Sequence, residues 1–188
     1  MTVHSIGNFS KAEHGGKDRW LCPTNAVFIR NYLVELRKYE HEVSGYDLTM
    51  EATHHGPYIE KAIVYVEIGA TEKEWNDRNA GRMAAKCIIN AIKKLNDKHE
   101  YKIAAGIGGI HYCDNFNRLM MKSNIAFAYI CPKYSIKHLD LELLRQMKEK
   151  GKVEFFVLDW KGLGQDKQFL LDLLEKSGYE WKRNDKMK

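Results

Sequence analysis

At 188 residues and 44% hydrophobic content, the chain has the size of one ordinary domain and enough apolar side chain to fill one core, so a single domain over 1–188 is expected. Its 30 Lys and Arg against 25 Asp and Glu leave a net charge of +5, which suits a nucleic-acid partner without requiring one. Cys22, Cys87, Cys113 and Cys131 form no Cys-x-x-Cys pair, which argues against a zinc knuckle and a secreted disulfide framework. No apolar run reaches the roughly 18 residues of a membrane span, and no signal-peptide core opens the chain. A cytoplasmic protein with no membrane partner is expected, with a monomer as the default.

In chain order, Met1–Leu21 is polar and interrupted by glycines, and reads as a loop. Ala26, Ile29, Tyr32, Leu33 and Leu36 recur at three and four residues, predicting a helix to about Tyr39. Tyr46–Thr53 and Ala62–Gly69 read as strands. Thr71 and Glu74 have the spacing of a capping box, and Met83, Cys87, Ile88, Ala91, Ile92 and Leu95 mark one face of a long helix whose polar start, Trp75–Arg82, is expected to be irregular. Ile103–Gly109 is a small-residue strand, Ile125–Cys131 an apolar one closed by Pro132, and Val153–Trp160 another. Helices are predicted over Leu139–Lys150 and Gln165–Lys176, then an edge strand at Tyr179–Lys182 and a short basic tail, Lys182–Lys188. Strands alternating with helices imply a three-layer α/β fold with a mixed or largely parallel sheet flanked by helices.

Ligands of such sheets bind beyond the carboxyl ends of the strands. Three strand-like runs end there in polar clusters: Thr53-His54-His55-Gly56, Gly108-Gly109-Ile110-His111-Tyr112 and Asp159-Trp160-Lys161-Gly162. If the strands are parallel, these clusters converge on one edge. Neighbouring residues of a strand face opposite sides, so only one of His54 and His55 can lie beside Glu51 and Thr53, which share a face. On strict alternation that one is His55. Gly108-Gly109 lacks the continuation of a dinucleotide or P-loop motif, so it reads as a tight turn. Lys161-Gly162-Leu163-Gly164 before a helix could present N–H groups to a phosphate. His4, His54, His55 and His111 with Glu51 have zinc-ligand chemistry, though no pair has the i, i+4 spacing of a helical metal motif.

Taken in order, Met50-Glu51-Ala52-Thr53-His54-His55-Gly56-Pro57, Glu67-Ile68-Gly69 with Trp75, Gly106-Ile107-Gly108-Gly109 with His111-Tyr112, Pro132-Lys133-Tyr134 and Asp159-Trp160-Lys161-Gly162 resemble the archaeal and plant type of D-aminoacyl-tRNA deacylase. His4 to Asn8 is similar to that family's His-x-x-Gly-Asn signature ahead of a Gly-rich loop, here Gly15-Gly16-Lys17. Three features depart from the pattern. Met1 stands almost at the signature, so the chain is expected to lack a preceding segment and to expose a sheet edge or apolar patch that promotes self-association. Ile110 replaces a glycine, with Cys113-Asp114 where a proline is usual. Ala128-Tyr129-Ile130-Cys131 precedes Pro132 where the family has a histidine.

The resemblance implies a phosphorylase- or peptidyl-tRNA-hydrolase-like architecture and hydrolysis of the ester joining a D-amino acid to the terminal adenosine of tRNA. It also implies zinc, without assigning ligands. An aminoacyl ester is already activated, so a positioned water and a polarised carbonyl suffice. His55 or His54 is the expected base, oriented by Glu51 or Thr53. Gly108 and Gly109 would approach the amino acid or ester, His111 and Tyr112 would stack on adenine, and Lys17, Lys133 and Lys161 would meet phosphates. A non-catalytic tRNA-binding module and a phosphorylase- or nucleosidase-like enzyme are the competing readings.

Overall fold

The computed structural model describes residues 1–12, 14–98 and 100–187; Lys188, the end of the basic tail, lies outside them. The chain passes through β1 (Thr2–Ser5), α1 (Ala26–Arg37), β2 (Thr49–Met50), β3 (Val64–Glu67), α2 (Glu72–Trp75) and α3 (Arg78–Lys93). It continues through β4 (Lys102–Ile107), α4 (Asp114–Lys122), β5 (Ile125–Cys131), α5 (Leu141–Gly151), β6 (Phe155–Leu158), α6 (Lys167–Ser177) and β7 (Trp181–Arg183).

The main sheet has the order β5-β4-β6-β7 and is parallel throughout. Side-chain alternation splits its residues between two cores. Ala104, Phe127, Phe155 and Val157 face α1, α3 and α4, whereas Ala105, Ile107, Phe156 and Leu158 face α5 and α6. Both faces are covered, which is why β5 and β6 are apolar at every position. The result is the expected three-layer α/β arrangement. Gly106 is small for a packing reason: a Cβ there would meet the Phe116 ring at 2.9 Å. From β4 the chain moves through α4 to β5 on one side, then crosses through α5 to β6 on the other. That reversal makes the carboxyl end of β4, where Gly108–His111 emerge, the switch point of the sheet.

A smaller mixed sheet, β2-β1-β3, has β1 parallel to β2 and antiparallel to β3. It joins the main sheet through Thr53, whose N–H donates to the Ile130 carbonyl (2.9 Å) and whose Oγ1 accepts from the Ile130 N–H (3.0 Å). Thr53 Oγ1 also shares a hydrogen bond with Ser5 Oγ at 2.6 Å. The outer edge of β2 is covered, since Asn117 Oδ1 accepts from Met50 N–H (2.9 Å) and the His111 carbonyl accepts from Ala52 N–H (2.7 Å). Among the described residues β3 pairs on one side only. Met1 is buried, its ammonium donating to the Asp47 carbonyl at 2.6 Å.

Three expectations need correction. Met1–Leu21 is not a loop throughout: β1 is the centre of the smaller sheet, and Ile6 and Gly7 bridge to His54 and Leu21. Arg78–Arg82 is regular helix, because the Asp77 carboxylate caps α3 by accepting from the N–H groups of Asn79 (2.8 Å) and Ala80 (3.1 Å). The Thr71–Glu74 pair caps only the single turn of α2. Regular pairing in Tyr46–Thr53 contracts to Thr49–Met50. The sequence also hides α4. Among the described residues no helix is long and apolar enough to cross a membrane.

Candidate active site

The carboxyl ends of β2 and β4 meet over Glu51. Its Oε2 accepts from His111 Nε2 at 2.8 Å, and His54 Nε2 stands 3.5 Å away. Burial alone would raise the Glu51 pKa; hydrogen bonds from Thr2 and His111 and the charges of His4 and His111 outweigh it and hold the group below the usual carboxylate range. With Nε2 donating to Glu51, the His111 ring turns Nδ1 to the Tyr134 hydroxyl at 3.3 Å. A carboxylate, an imidazole and a phenol therefore lie in one hydrogen-bonded line.

His54 is fixed from behind. A carbonyl can only accept, so the 2.7 Å contact to the Ala52 carbonyl places the Nδ1 proton and frees Nε2 toward Glu51. Burial, then the charge of His4, pushes the His54 pKa down to about 4, so the ring is neutral at pH 7. It stacks on the buried His4 ring at 3.9 Å and meets His111 at 4.8 Å. His4 is held alike, with Nδ1 donating to the Ser5 carbonyl (3.0 Å) and Nε2 3.3 Å from Glu67 Oε1.

This arrangement corrects the alternation argument. His55 is exposed, and its ring meets His14 (4.5 Å) and the edge of His54 (4.8 Å) rather than Glu51. Thr53 is committed to Ser5 and Ile130, so its hydroxyl orients no imidazole. The physical reason is that the register against β1 slips by one residue after Met50, from the Val3–Met50 pair to the isolated Ile6–His54 bridge, so the period of two is lost between Glu51 and His55.

His4, Glu51 and His54 also fit a metal ion. Their ligand atoms all lie within 4.8 Å of one another, and two imidazoles and a carboxylate are a set that zinc accepts. Carbonyl bonds at both Nδ1 atoms orient the rings as in ligating histidines.

His111 opens onto a cavity of about 960 Å³ beyond β4, β5 and β6, lined by Lys133, Tyr134, Lys137, Asn115, Arg118 and Asp159 among others. Gly109 (φ +78°) lines it, preceded in the same turn by Gly108 (φ +106°). Their small size is needed for Asp159, because a Cβ on Gly108 would stand 3.1 Å from the Asp159 Cβ. Asp159 is buried and accepts from Asn115 (3.0 Å) and Asn184 (2.9 Å), tying three chain segments beneath the cavity. Tyr112 is exposed beside His111, their rings 5.3 Å apart. Lys161 is exposed outside the lining, and Lys17 lies over the Trp20 ring (3.8 Å) away from the cavity. Arg118, Asn115 and Lys137 escaped the sequence reading; Arg118 and Asn115 sit on α4, whose Phe116, Leu119 and Met120 spacing was the available signal.

Cys113 adjoins His111 but is no nucleophile. Its thiol donates to the His111 carbonyl (3.1 Å), and burial, with smaller effects of Glu51 and Asp114, pushes its pKa far above the usual thiol range.

A sequence model of the D-aminoacyl-tRNA deacylase family matches residues 1–182. The chain is 35% identical over 182 residues to the D-aminoacyl-tRNA deacylase of Cenarchaeum symbiosum, covering 96% of this chain and 70% of that protein. To the D-aminoacyl-tRNA deacylase of Archaeoglobus fulgidus it is 32% identical over 190 residues, covering 100% of this chain and 68% of the relative. A crystal structure of a conserved protein of unknown function superposes with a TM-score of 0.90 at 32% identity, over 99% of this chain and 66% of that one. With a sequence match over nearly its whole length and the same fold, the chain belongs to the D-aminoacyl-tRNA deacylase family.

Proposed function

We propose that this chain hydrolyses the ester bond between a D-amino acid and the terminal adenosine of tRNA, releasing the free D-amino acid and reusable tRNA. The observation that carries the reading is His111, held by Glu51 at 2.8 Å and facing both Tyr134 and the large cavity. With Nε2 tied to the carboxylate, Nδ1 is the basic atom toward the cavity, where it takes a proton from a water attacking the ester carbonyl. Glu51 fixes the tautomer and stabilises the imidazolium that forms, the role of the acidic partner in serine-hydrolase triads. Tyr134 turns its single hydroxyl proton from Nδ1 to the developing oxyanion, which leaves Nδ1 to the attacking water. His111 then returns the proton to the departing ribose oxygen. Water is the nucleophile because the neighbouring thiol of Cys113 is buried and protonated.

A zinc ion bound by His4, Glu51 and His54 would add Lewis-acid polarisation next to His111. In this reading Lys133 meets tRNA phosphate from the cavity wall, and Lys161 and Lys17 act at most on more distant parts of the tRNA.

The test is incubation of purified protein with D- and L-aminoacyl-tRNA, with and without a chelator, alongside a measurement of bound metal. Release of D- but not L-amino acid is expected. Full activity after metal is stripped would remove zinc from the proposal, and tRNA binding without ester cleavage would overturn the enzymatic reading.

A further inference from the structure

The cavity beside His111 adjoins a second concavity. The second, about 740 Å³, lies between β2 and α4, and both are lined by Ile110, Asp114 and Arg118. Each exceeds the space one nucleoside needs. Exposed apolar and aromatic side chains flank the pair: Ile110 and Tyr134 at the larger, Ile110, Tyr112 and Met121 at the smaller. Such side chains offer faces on which unstacked bases rest. Carboxylates stand in both hollows: Asp114 is shared, Asp166 lies in the larger, and Glu40 and Asp47 lie in the smaller. Carboxylates accept from exocyclic amines such as cytosine N4.

Arg118 occupies the divide. It is exposed, makes no hydrogen bond or ion pair among the described residues, and lines both hollows. Several other arginines are engaged, Arg19 with Asp140, Arg145 with Glu142 and Glu149, and Arg183 with Asp185, while the exposed Arg78 lines neither hollow. A free guanidinium between two nucleoside-sized hollows is suited to a phosphodiester, which it can grip with two N–H groups.

We infer that Arg118 holds the phosphate joining the last two nucleotides of the tRNA, with the terminal adenosine ester in the larger cavity and the penultimate cytidine in the smaller. This rests on the deacylase reading and extends it by a second nucleotide subsite and a positioning residue. The single-stranded 3′ end would pass over Ile110, placing its ester beside His111.

Two short substrates separate this inference from the reading beneath it: the D-aminoacyl ester of adenosine, with no internucleotide phosphate, and that of cytidylyl-adenosine, with one. For the wild-type protein kcat/KM is expected to be about tenfold higher on the dinucleotide ester, through KM. In Arg118→Ala that ratio falls to within about twofold of unity, and Arg118→Lys recovers part of it. Because both rates are read on one preparation, a misfolded fraction cancels from the ratio. Wild-type protein that cleaves both esters equally, or an Arg118→Ala ratio unchanged from wild type, overturns the subsite while leaving the deacylase reading intact. No cleavage of any D-aminoacyl ester, including full-length D-aminoacyl-tRNA, overturns both.

Discussion

Glu35 and Glu51 are both largely withdrawn from solvent, and their surroundings differ in one respect. Glu35 on α1 accepts from Lys38 at 2.6 Å, from Lys94 and from Asn90 at 3.4 Å. Glu51 accepts from His111 and lies near His54 and His4. Both have lowered pKa values against the opposing effect of burial. Lysines keep their charge over the whole physiological range, so the Glu35 cluster is a fixed tie between α1 and the end of α3. Imidazoles exchange protons near neutrality, and one beside Glu51 opens onto a cavity. A buried carboxylate thus serves the fold or the chemistry according to the cations chosen for it.

The comparison breaks most visibly at Glu51. Glu51→Gln keeps the shape but cannot stabilise an imidazolium at His111, so kcat on D-aminoacyl-tRNA should fall about 1000-fold, and His111→Ala should cost roughly 100-fold or more. Thermal unfolding of Glu51→Gln should move less than that of the corresponding Glu35 variant. Single-turnover deacylation and melting curves on the same preparations check both halves; a large loss of stability with little loss of rate would reverse the assignment.

Glu35→Gln should behave oppositely, with turnover retained and stability lowered by about 2 kcal/mol at pH 7, the scale of charge-assisted hydrogen bonds in a buried setting. The sign of its pH dependence follows from the lowered pKa. A depressed carboxylate contributes stability above its unfolded pKa and loses it as pH falls through the folded value. The gap between wild type and Glu35→Gln should therefore be constant near neutrality and close below about pH 4. Denaturant titrations at pH 7, 5 and 3.5 measure it, and a gap that widens in acid would contradict the ion-pair account.

Legibility in the sequence followed the length and regularity of each element. Ile125–Cys131 was readable to the residue because seven apolar side chains in a row have one sensible placement, and α1, α5 and α6 showed their periods plainly. β1 was not readable. It has four residues, and its buried His4 and Ser5 are satisfied by Glu67 and Thr53, about 50 to 60 positions away. α4 begins after Cys113, a left-handed residue (φ +56°) with no capping side chain, which removes the usual start signal. The convergence of the Glu51 and His111 segments was legible from polar clusters after apolar strands. Which imidazole meets the carboxylate was not, since it depends on where the register against β1 slips.

That last point gives the smallest expected effect and the sharpest use of it. His54 and His55 are sequence neighbours, yet one is stacked on His4 with Nε2 toward Glu51 and the other is exposed beside His14. His54→Ala should lower deacylation by roughly 100-fold, because it removes a ring packed against both His4 and His111 and a ligand from the candidate metal set. His55→Ala should change the rate by less than about threefold, since no group of the Glu51 cluster bonds to it and only surface contact is lost. Measured on one D-aminoacyl-tRNA with metal content read in parallel, the two variants should also differ in bound zinc, with loss confined to His54→Ala. A His55→Ala rate as low as that of His54→Ala would place the working imidazole on the outer face of the turn, beside His14, and move the chemistry away from Glu51.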